Sequence, residues 1–159
     1  MDEESIKIPT GFYHIKTNTE PARFLYINRG KQSMEIGSVE MKIPLPSRGL
    51  FKVFAHKDGT ISIFSPLFGR FLVQPVSDKK TRLEFDTEPT KPGTGMLPND
   101  RFRVVRIPSD GRAVRLQSML NKKYTTESGY GFLVGEGAEC LDALELVFEP
   151  RFANYQYGK

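Results

Sequence analysis

The sequence contains no tryptophan, one cysteine and two histidines in 159 residues. A single thiol, Cys140, excludes an internal disulfide framework and favours a reducing, cytoplasmic location. No stretch approaches the roughly 18 consecutive apolar residues that a membrane-spanning helix needs. The beginning, MDEESIKIPTG, is acidic and then mixed, so it lacks the basic and apolar segments of a secretion signal. We therefore expect a disulfide-free cytoplasmic protein.

Residues that carry catalysis or hold metals are scarce. His14 lies in an alternating strand pattern, which predicts a solvated position, and His56 stands just before a KDG turn, also an exposed place. Cys140 has no activating motif around it, so a small, half-buried thiol is the better interpretation. No Cys/His group has the spacing of a zinc site, and the glycine run 129–137 lacks the Lys-Ser/Thr of a phosphate loop. We expect no enzymatic activity, no metal and no cofactor.

The charge balance gives little sign of a nucleic-acid partner. The net charge of +4 is mild, and the basic residues fall in several short groups. In one group Arg101, Arg103 and Arg106 alternate with Phe102 and Val104, as on the solvent side of a strand. Nucleic-acid-binding domains usually concentrate such charge on one face. We expect neither nucleic acid nor a membrane as partner.

Alternation with a period of two dominates the apolar pattern. It is clear in Tyr13/Ile15, Ile61/Ile63 and Leu144/Leu146, and it is typical of half-buried strands. Turn formers such as KDG, SDG and SRG separate these runs, and the 14 glycines and 11 prolines suit many turns. Only the stretch LDALELVF could be helical, and its alternation fits a strand equally well. The pattern predicts an all-β fold.

One phrase occurs three times, at offsets of about fifty residues. One copy reads DGTISIFSPLFGRFLV (Asp58–Val73), and a later one reads DGRAVRLQSMLNKKYTT (Asp110–Thr126). An earlier copy begins at Tyr13. Each has an apolar-x-apolar-x-Ser/Thr strand, then a basic residue and an aromatic one, and each ends in a similar closing strand, as in Phe51-Lys-Val53. Repetition at this period predicts a fold of three equivalent units.

The chain 1–159 is expected to form a single domain, with repeats at approximately 8–56, 57–107 and 108–150 and a tail at 151–159. Each repeat has room for four short strands. A ring of three units buries the apolar face of each and removes most open edges. The predicted strands are Phe12–Lys16, Phe24–Asn28, Met34–Val39, Leu50–Ala55, Thr60–Phe64, Arg70–Gln74, Arg82–Asp86, Arg101–Arg106, Ala113–Gln117, Lys123–Thr126, Phe132–Gly135 and Ala143–Phe148.

This triplicated pattern resembles the β-trefoil superfamily, over essentially all of residues 8–150. The resemblance implies twelve strands in three pseudo-repeats, six forming a barrel and six a cap. It also implies a binding protein that works through its loops, since the strands are used for barrel and cap. β-Trefoils serve as lectins, cytokines, actin bundlers and protease inhibitors, so the fold alone does not choose among these functions.

Two connections are longer than a turn requires. They are Val39–Gly49, and Asp86–Asp100 between the third and fourth strands of the second repeat. Proline stiffens such segments and lowers the entropy lost when a partner immobilises them. A tolerated surface insertion is an equally good interpretation of both. If they bind a partner, the candidate residues are Pro44, Pro46, Arg48, Pro89, Lys91, Pro92 and Gly95.

In general appearance the chain resembles the small β-trefoil protease inhibitors of mushrooms, the mycocypin and mycospin kind. It shares their size, their scarcity of cysteine and the opening Gly-Phe-Tyr-His-Ile, residues 11–15. In the cysteine-protease group, the resemblance places the inhibitory loops at Thr17–Ala22, with Thr19, Glu20 and Pro21, and at Met41–Arg48. Inhibition of trypsin-type enzymes would instead use an exposed basic residue, for which Arg29 and Arg48, each followed by glycine, are candidates. A protease inhibitor is therefore the leading hypothesis.

Two other functions stay open. The first is a lectin without the Gln-x-Trp signature of ricin-type repeats, in which Tyr130, Tyr155 or Tyr157 could stack on a sugar. The second is a fascin-like actin-binding module, since HKDGTISIFSPLFGRFL resembles fascin phrases. The partner is expected to be a protease, with carbohydrate as the alternative.

Overall fold

The computed structural model of the protein describes residues 5–28, 33–36, 49–76, 82–85, 98–108, 110–128 and 133–151. In those ranges the regular structure is almost entirely strand, with a short 3₁₀ turn at Cys140–Asp142. No helix there is long and apolar enough to cross a membrane. The strands are β1 Gly11–Thr17, β2 Leu25–Asn28, β3 Ser33–Ile36, β4 Leu50–Ala55, β5 Ile61–Ser65, β6 Arg70–Val73, β7 Glu84–Phe85, β8 Phe102–Ile107, β9 Asp110–Ser118, β10 Tyr124–Glu127, β11 Leu133–Gly137 and β12 Leu146–Arg151.

Six of these strands close into a barrel. β1 pairs with β4, β4 with β5, β5 with β8, β8 with β9, β9 with β12, and β12 returns to β1. Every pairing is antiparallel, and because the ring is closed it has no open edge. The other strands form three hairpins, β2–β3, β6–β7 and β10–β11, one from each repeat. Bridges between Ser33 and Glu84 and between Arg82 and Val134 link the hairpins into a cap.

The core follows from the alternation in the sequence. In β8, Phe102 and Val104 are buried while Arg103 between them reaches the surface. Equivalent apolar positions from all three repeats meet in one cluster that fills barrel and cap together. The largest fully buried side chains are Phe51, Phe85, Phe102, Ile15, Leu25, Ile27, Met34, Leu50, Ile61, Ile63, Leu72 and Leu83.

The predicted all-β class and barrel-plus-cap arrangement are confirmed. Each predicted strand overlaps an observed one, and Leu50–Ala55 matches completely. Within the predicted strand Arg82–Asp86, Glu84–Phe85 is a strand, and Asp86 lies outside the described residues. Ala113–Gln117 lengthens to Asp110–Ser118 because it pairs with β8 along that length. The ambiguous stretch LDALELVF divides between the 3₁₀ turn and β12.

The expected solvated position of His14 was wrong. Its side chain is 1 % exposed. Tyr13, His14 and Ile15 are all buried, so β1 is covered on both of its faces at this point. The Arg151 Nε–H donates to His14 Nδ1 at 2.8 Å, and the Phe24 ring packs edge-on against the imidazole. Burial, followed by the charge of Arg151, lowers the pKa of His14 to about 4.

His56 also departs from its expected exposure. It is half-buried, and its Nε2 lies 2.7 Å from the hydroxyl of Ser62. The bond ties the residue before the KDG turn to strand β5, on the far side of that turn. A structural role in the hairpin therefore explains this histidine.

One close approach in the cap requires glycine. A Cβ at Gly135 in β11 would overlap the side-chain amide of Gln74, which follows β6 and is 1 % exposed. Because Gln74 is enclosed, its amide cannot swing into solvent to make room. We expect Gly135→Ala to lower the free energy of unfolding by about 1–3 kcal/mol, measured by urea denaturation.

The matched control is Gly111→Ala, since a Cβ there would meet nothing within 4 Å. That change should alter stability by less than about 0.5 kcal/mol. Adding Gln74→Ser to Gly135→Ala should recover part of the loss, because the shorter side chain vacates the space. Equal effects of the two glycine substitutions would contradict the proposed contact.

Candidate binding site

A depression of about 470 Å³ opens between the first and third repeats. Its walls come from the loop after β1, the end of β10 and the segment before β12. Positions far apart in the sequence thus meet because β1 and β12 are neighbours in the barrel. We call it the inter-repeat depression, lined by Asn18, Thr19, Thr126, Glu127, Asp142, Ala143, Leu144 and Glu145.

The loop after β1 is held by its own hydrogen bonds. The Arg23 N–H donates to Thr17 Oγ1 at 2.9 Å, and the Thr17 N–H donates to the Arg23 carbonyl at 2.8 Å. The Thr19 hydroxyl lies 2.7 Å from that of Thr17 and donates to the Pro21 carbonyl at 2.9 Å. These bonds fix the loop before any partner binds, which reduces the ordering cost of binding.

The segment before β12 is anchored in a similar way. The Glu139 N–H donates to Asp142 Oδ2 at 3.1 Å, and the Ala143 N–H donates to the Cys140 carbonyl at 3.1 Å. The Leu144 N–H donates to the Thr125 carbonyl at 2.9 Å, which joins the segment to β10. The second wall is therefore also set by local bonding.

An ion pair fixes one end of the inter-repeat depression. The guanidinium of Arg23 binds both carboxylate oxygens of Glu127, each at 2.7 Å. This bidentate geometry is the strong form of the interaction and joins the first repeat to the third. The hydrogen bond from Arg23 lowers the pKa of Glu127 and, in return, raises the pKa of Arg23. Glu127 is therefore ionised at neutral pH.

Asn18 organises a second polar network. Its Nδ2 donates to Glu145 Oε1 at 3.1 Å and to Asp110 Oδ2 at 3.2 Å. The other Glu145 oxygen accepts from Arg115 at 3.3 Å. A hydrogen bond from the Arg112 backbone, with others, lowers the pKa of Asp110. Each lining group in this network has a fixed position and a fixed role as donor or acceptor.

The polar groups that line the inter-repeat depression are suited to binding a polar ligand. Amide, hydroxyl and carboxylate groups together offer donors and acceptors to a ligand rich in hydroxyls. Among the described residues no group of three or more His, Cys, Asp and Glu side chains could hold a metal ion. Cys140 is half-buried, as predicted, and a guanidinium nitrogen of Arg115 lies 3.8 Å from its sulfur.

The inhibitory-loop candidates divide into two groups. Thr19, Glu20 and Pro21 are exposed, and Thr19 also lines the inter-repeat depression. The other candidates, and the tyrosines considered for sugar stacking, lie outside the described residues: Arg29, Pro44, Pro46, Arg48, Pro89, Lys91, Pro92, Gly95, Tyr130, Tyr155 and Tyr157.

Sequence reasoning missed most of the lining. Asn18 lies inside the predicted loop but was not singled out, and Glu145 is 127 positions away from it in the chain. Asp142 and Glu127 carry no motif. The threefold pattern in the sequence could have indicated this site. It makes the first and last strands of the ring neighbours, so the loops that flank these two strands lie together.

No protein-family model and no curated protein matches the chain. Solved structures do match. The BEL β-trefoil in an apo crystal form is 14% identical, with 95% of this chain and 100% of that chain covered and a TM-score of 0.67. The fold is a β-trefoil.

Two further matches are to parts of longer chains. The Polyporus squamosus lectin bound to the epitope Neu5Aca2-6Galb1-4GlcNAc is 14% identical, covering 91% of this chain and 50% of that one, with a TM-score of 0.68. The GlcNAcα1-4Gal-releasing endo-β-galactosidase from Clostridium perfringens is 15% identical, covering 89% of this chain and 32% of that one, with a TM-score of 0.68. At these identities the likeness shows the fold, and the function has to be argued from the site.

Proposed function

We propose that this β-trefoil is a non-enzymatic carbohydrate-binding protein, and that the inter-repeat depression is its sugar site. The observation that carries the proposal is the lining itself. Amide, hydroxyl and carboxylate groups converge on one concave surface, each held by bonds to its own repeat or to the neighbouring one. A hydroxyl-rich ligand can exchange its bonds to water for bonds to these groups without reorganising the site.

The solved relatives add support of a weaker kind. One of the β-trefoils that this chain resembles is a lectin with a bound trisaccharide, and it is matched over nearly all of this chain. That protein's ligand is not carried over to this one, because the two share 14% identity. It supports the proposal as an example of a lectin in which this fold occurs.

The test is to apply the protein to a glycan array and then to measure its affinity for the best glycan by calorimetry. Thr126→Val is the decisive variant. Thr126 lines the inter-repeat depression, and valine keeps its shape while removing the hydroxyl. One lost hydrogen bond of about 1 kcal/mol should weaken binding of the best glycan roughly fivefold to tenfold. Thr10→Val makes the same chemical change away from the depression, where the hydroxyl accepts from the Ala55 N–H, and should leave affinity within about twofold.

Two results would count against this proposal, the first against the function and the second against the site. One is an array without any bound glycan. The other is a bound glycan whose affinity responds equally to Thr126→Val and Thr10→Val, since that would place the sugar elsewhere on the molecule.

Protease inhibition stays the second candidate, and one observation favours it. The loop Thr17–Ala22 exposes Thr19, Glu20 and Pro21 while its ends are tied together by Thr17 and Arg23. An exposed loop that is already ordered is what a protease-blocking wedge needs. Assays against papain, trypsin and pepsin test it, and tight inhibition of one class with no glycan binding would make this the function instead.

A further inference from the structure

The charges around the inter-repeat depression are unevenly distributed. Three carboxylates line it, from Glu127, Asp142 and Glu145, and no lysine, arginine or histidine is among the described lining residues. A fourth carboxylate, Asp110, lies behind Asn18 at 3.2 Å from its amide. The ionisable side chains of the lining are therefore all acidic, although the whole chain has a net charge of +4.

Two arginines, Arg23 and Arg115, form ion pairs with carboxylates of the lining. The guanidinium of Arg23 donates to both carboxylate oxygens of Glu127, each at 2.7 Å. Arg115 reaches Glu145 at 3.3 Å, and its side chain is 12% exposed. A carboxylate or sulfate on a ligand would have to compete with Glu127 for Arg23, and the positive charge of Arg115 is balanced by Glu145 beside it.

Of the three carboxylates that line the depression, Asp142 is the one outside these two ion pairs. Its Oδ2 accepts from the Glu139 N–H, which holds the carboxylate in place without neutralising it. A bound anion would meet this charge at short range in a concave site, where field lines are focused. Like charges placed together in this way are a common means of rejecting a wrong ligand.

We infer that the inter-repeat depression binds uncharged sugars and rejects acidic ones. Acidic here means that the end of the glycan that enters the depression carries a sialic acid, a uronic acid or a sulfate. This inference rests on the proposed carbohydrate function and names the ligand class of that same site. The Oδ1 of Asn18, the Thr19 oxygen and the carboxylates can then accept from neutral hydroxyl groups, and the Thr126 hydroxyl can donate or accept.

The experiment compares matched glycan pairs by calorimetry: a neutral oligosaccharide found to bind, and the same oligosaccharide with a terminal sialic acid or a sulfate. The neutral member should bind about tenfold more tightly or better at low salt. The ratio should shrink in 1 M salt, where the Debye length falls to about 3 Å. A rejection caused by size alone would not depend on salt.

A charge variant further separates rejection by charge from rejection by size. Asp142→Asn keeps an acceptor for the Glu139 N–H and removes the charge, so it should raise the affinity for the acidic glycan relative to the neutral one about threefold or more. Glu84→Gln, in the hairpin β6–β7, changes the net charge equally without touching the lining and should leave the ratio unchanged.

The possible failures are distinguishable. Equal or tighter binding of the acidic glycan at low salt overturns the inference and leaves the carbohydrate function standing. A ratio that ignores both salt and Asp142→Asn also overturns it, in favour of exclusion by shape. Absence of any glycan binding removes the proposed function, and the inference falls with it.

Discussion

Replacement of Phe51 by alanine is expected to lower the free energy of unfolding by about 3–5 kcal/mol. Phe51 lies in β4 of the barrel, and its side chain is fully buried. Its ring stacks on that of Phe85 in β7, with centroids 6.0 Å apart and planes 8° from parallel. The change would therefore remove a contact that joins barrel to cap, in addition to leaving a cavity in a core that cannot collapse around it.

The measurement is urea denaturation of Phe51→Ala beside Phe12→Ala. Phe12 is half-buried on β1, where the Lys52 ammonium lies 5.5 Å from its ring centroid. Its loss should cost clearly less than that of Phe51, about 1–2 kcal/mol, because much of the ring already faces water. Similar losses for the two variants would show that the Phe51–Phe85 contact does not link barrel and cap as described.

Stability should also fall as the pH is lowered from about 6.5 to about 4, because of His14. The pKa of this histidine is about 4 in the folded protein against an ordinary value of 6.5. The unfolded chain therefore takes up the proton first, and protonation favours unfolding across that window. The contribution is fully present above pH 6.5 and is lost as the pH falls to about 4, and it amounts to about 3 kcal/mol.

The surroundings of His14 explain the direction of the shift. Arg151 donates to Nδ1, so the neutral ring carries its proton on Nε2, and a second proton would place an imidazolium against a guanidinium. Glu149 opposes the shift, but its carboxylate is already paired with Lys16 at 3.1 Å. Burial is the larger cause, and Glu149 does not compensate for it.

The control for this prediction is His14→Gln, which can keep an acceptor for Arg151 and does not titrate. Unfolding free energies of the two proteins, measured by urea at half-unit steps from pH 4 to pH 7, should diverge in slope over that range. The lowered pKa values of Glu127 and Asp58 act in both proteins at the acidic end, so they cancel in the difference. Parallel pH profiles would rule out His14 as the cause.

The fold was accessible from the sequence because its signal is repeated. Alternation places Ile61 and Ile63 on a core face, and the same outline at Val114 and Leu116 identifies a second unit. A strand that is ambiguous in one repeat can then be assigned from the equivalent strands of the other two repeats. Alternation did mislead at His14, because strand β1 is covered on both faces and the rule assumes one wet face.

The site was less accessible, because it depends on contacts between repeats. Nothing local marks Asn18 as a partner of Glu145, or Arg23 as a partner of Glu127 104 positions later. Such pairs are set by barrel closure, which joins β1 to β12. The proline-rich loops drew attention because they are conspicuous in sequence, whereas the inter-repeat depression is made of common polar residues.

The most direct test of the carbohydrate site is an NMR titration of the ¹⁵N-labelled protein with a neutral oligosaccharide identified on the array. We expect amide shifts to move in the walls of the inter-repeat depression, at Asn18, at Thr126 and Glu127, and from Asp142 to Glu145. Saturation should follow the affinity measured by calorimetry. Shifts confined to another part of the molecule, with these amides unmoved, would contradict the proposed site.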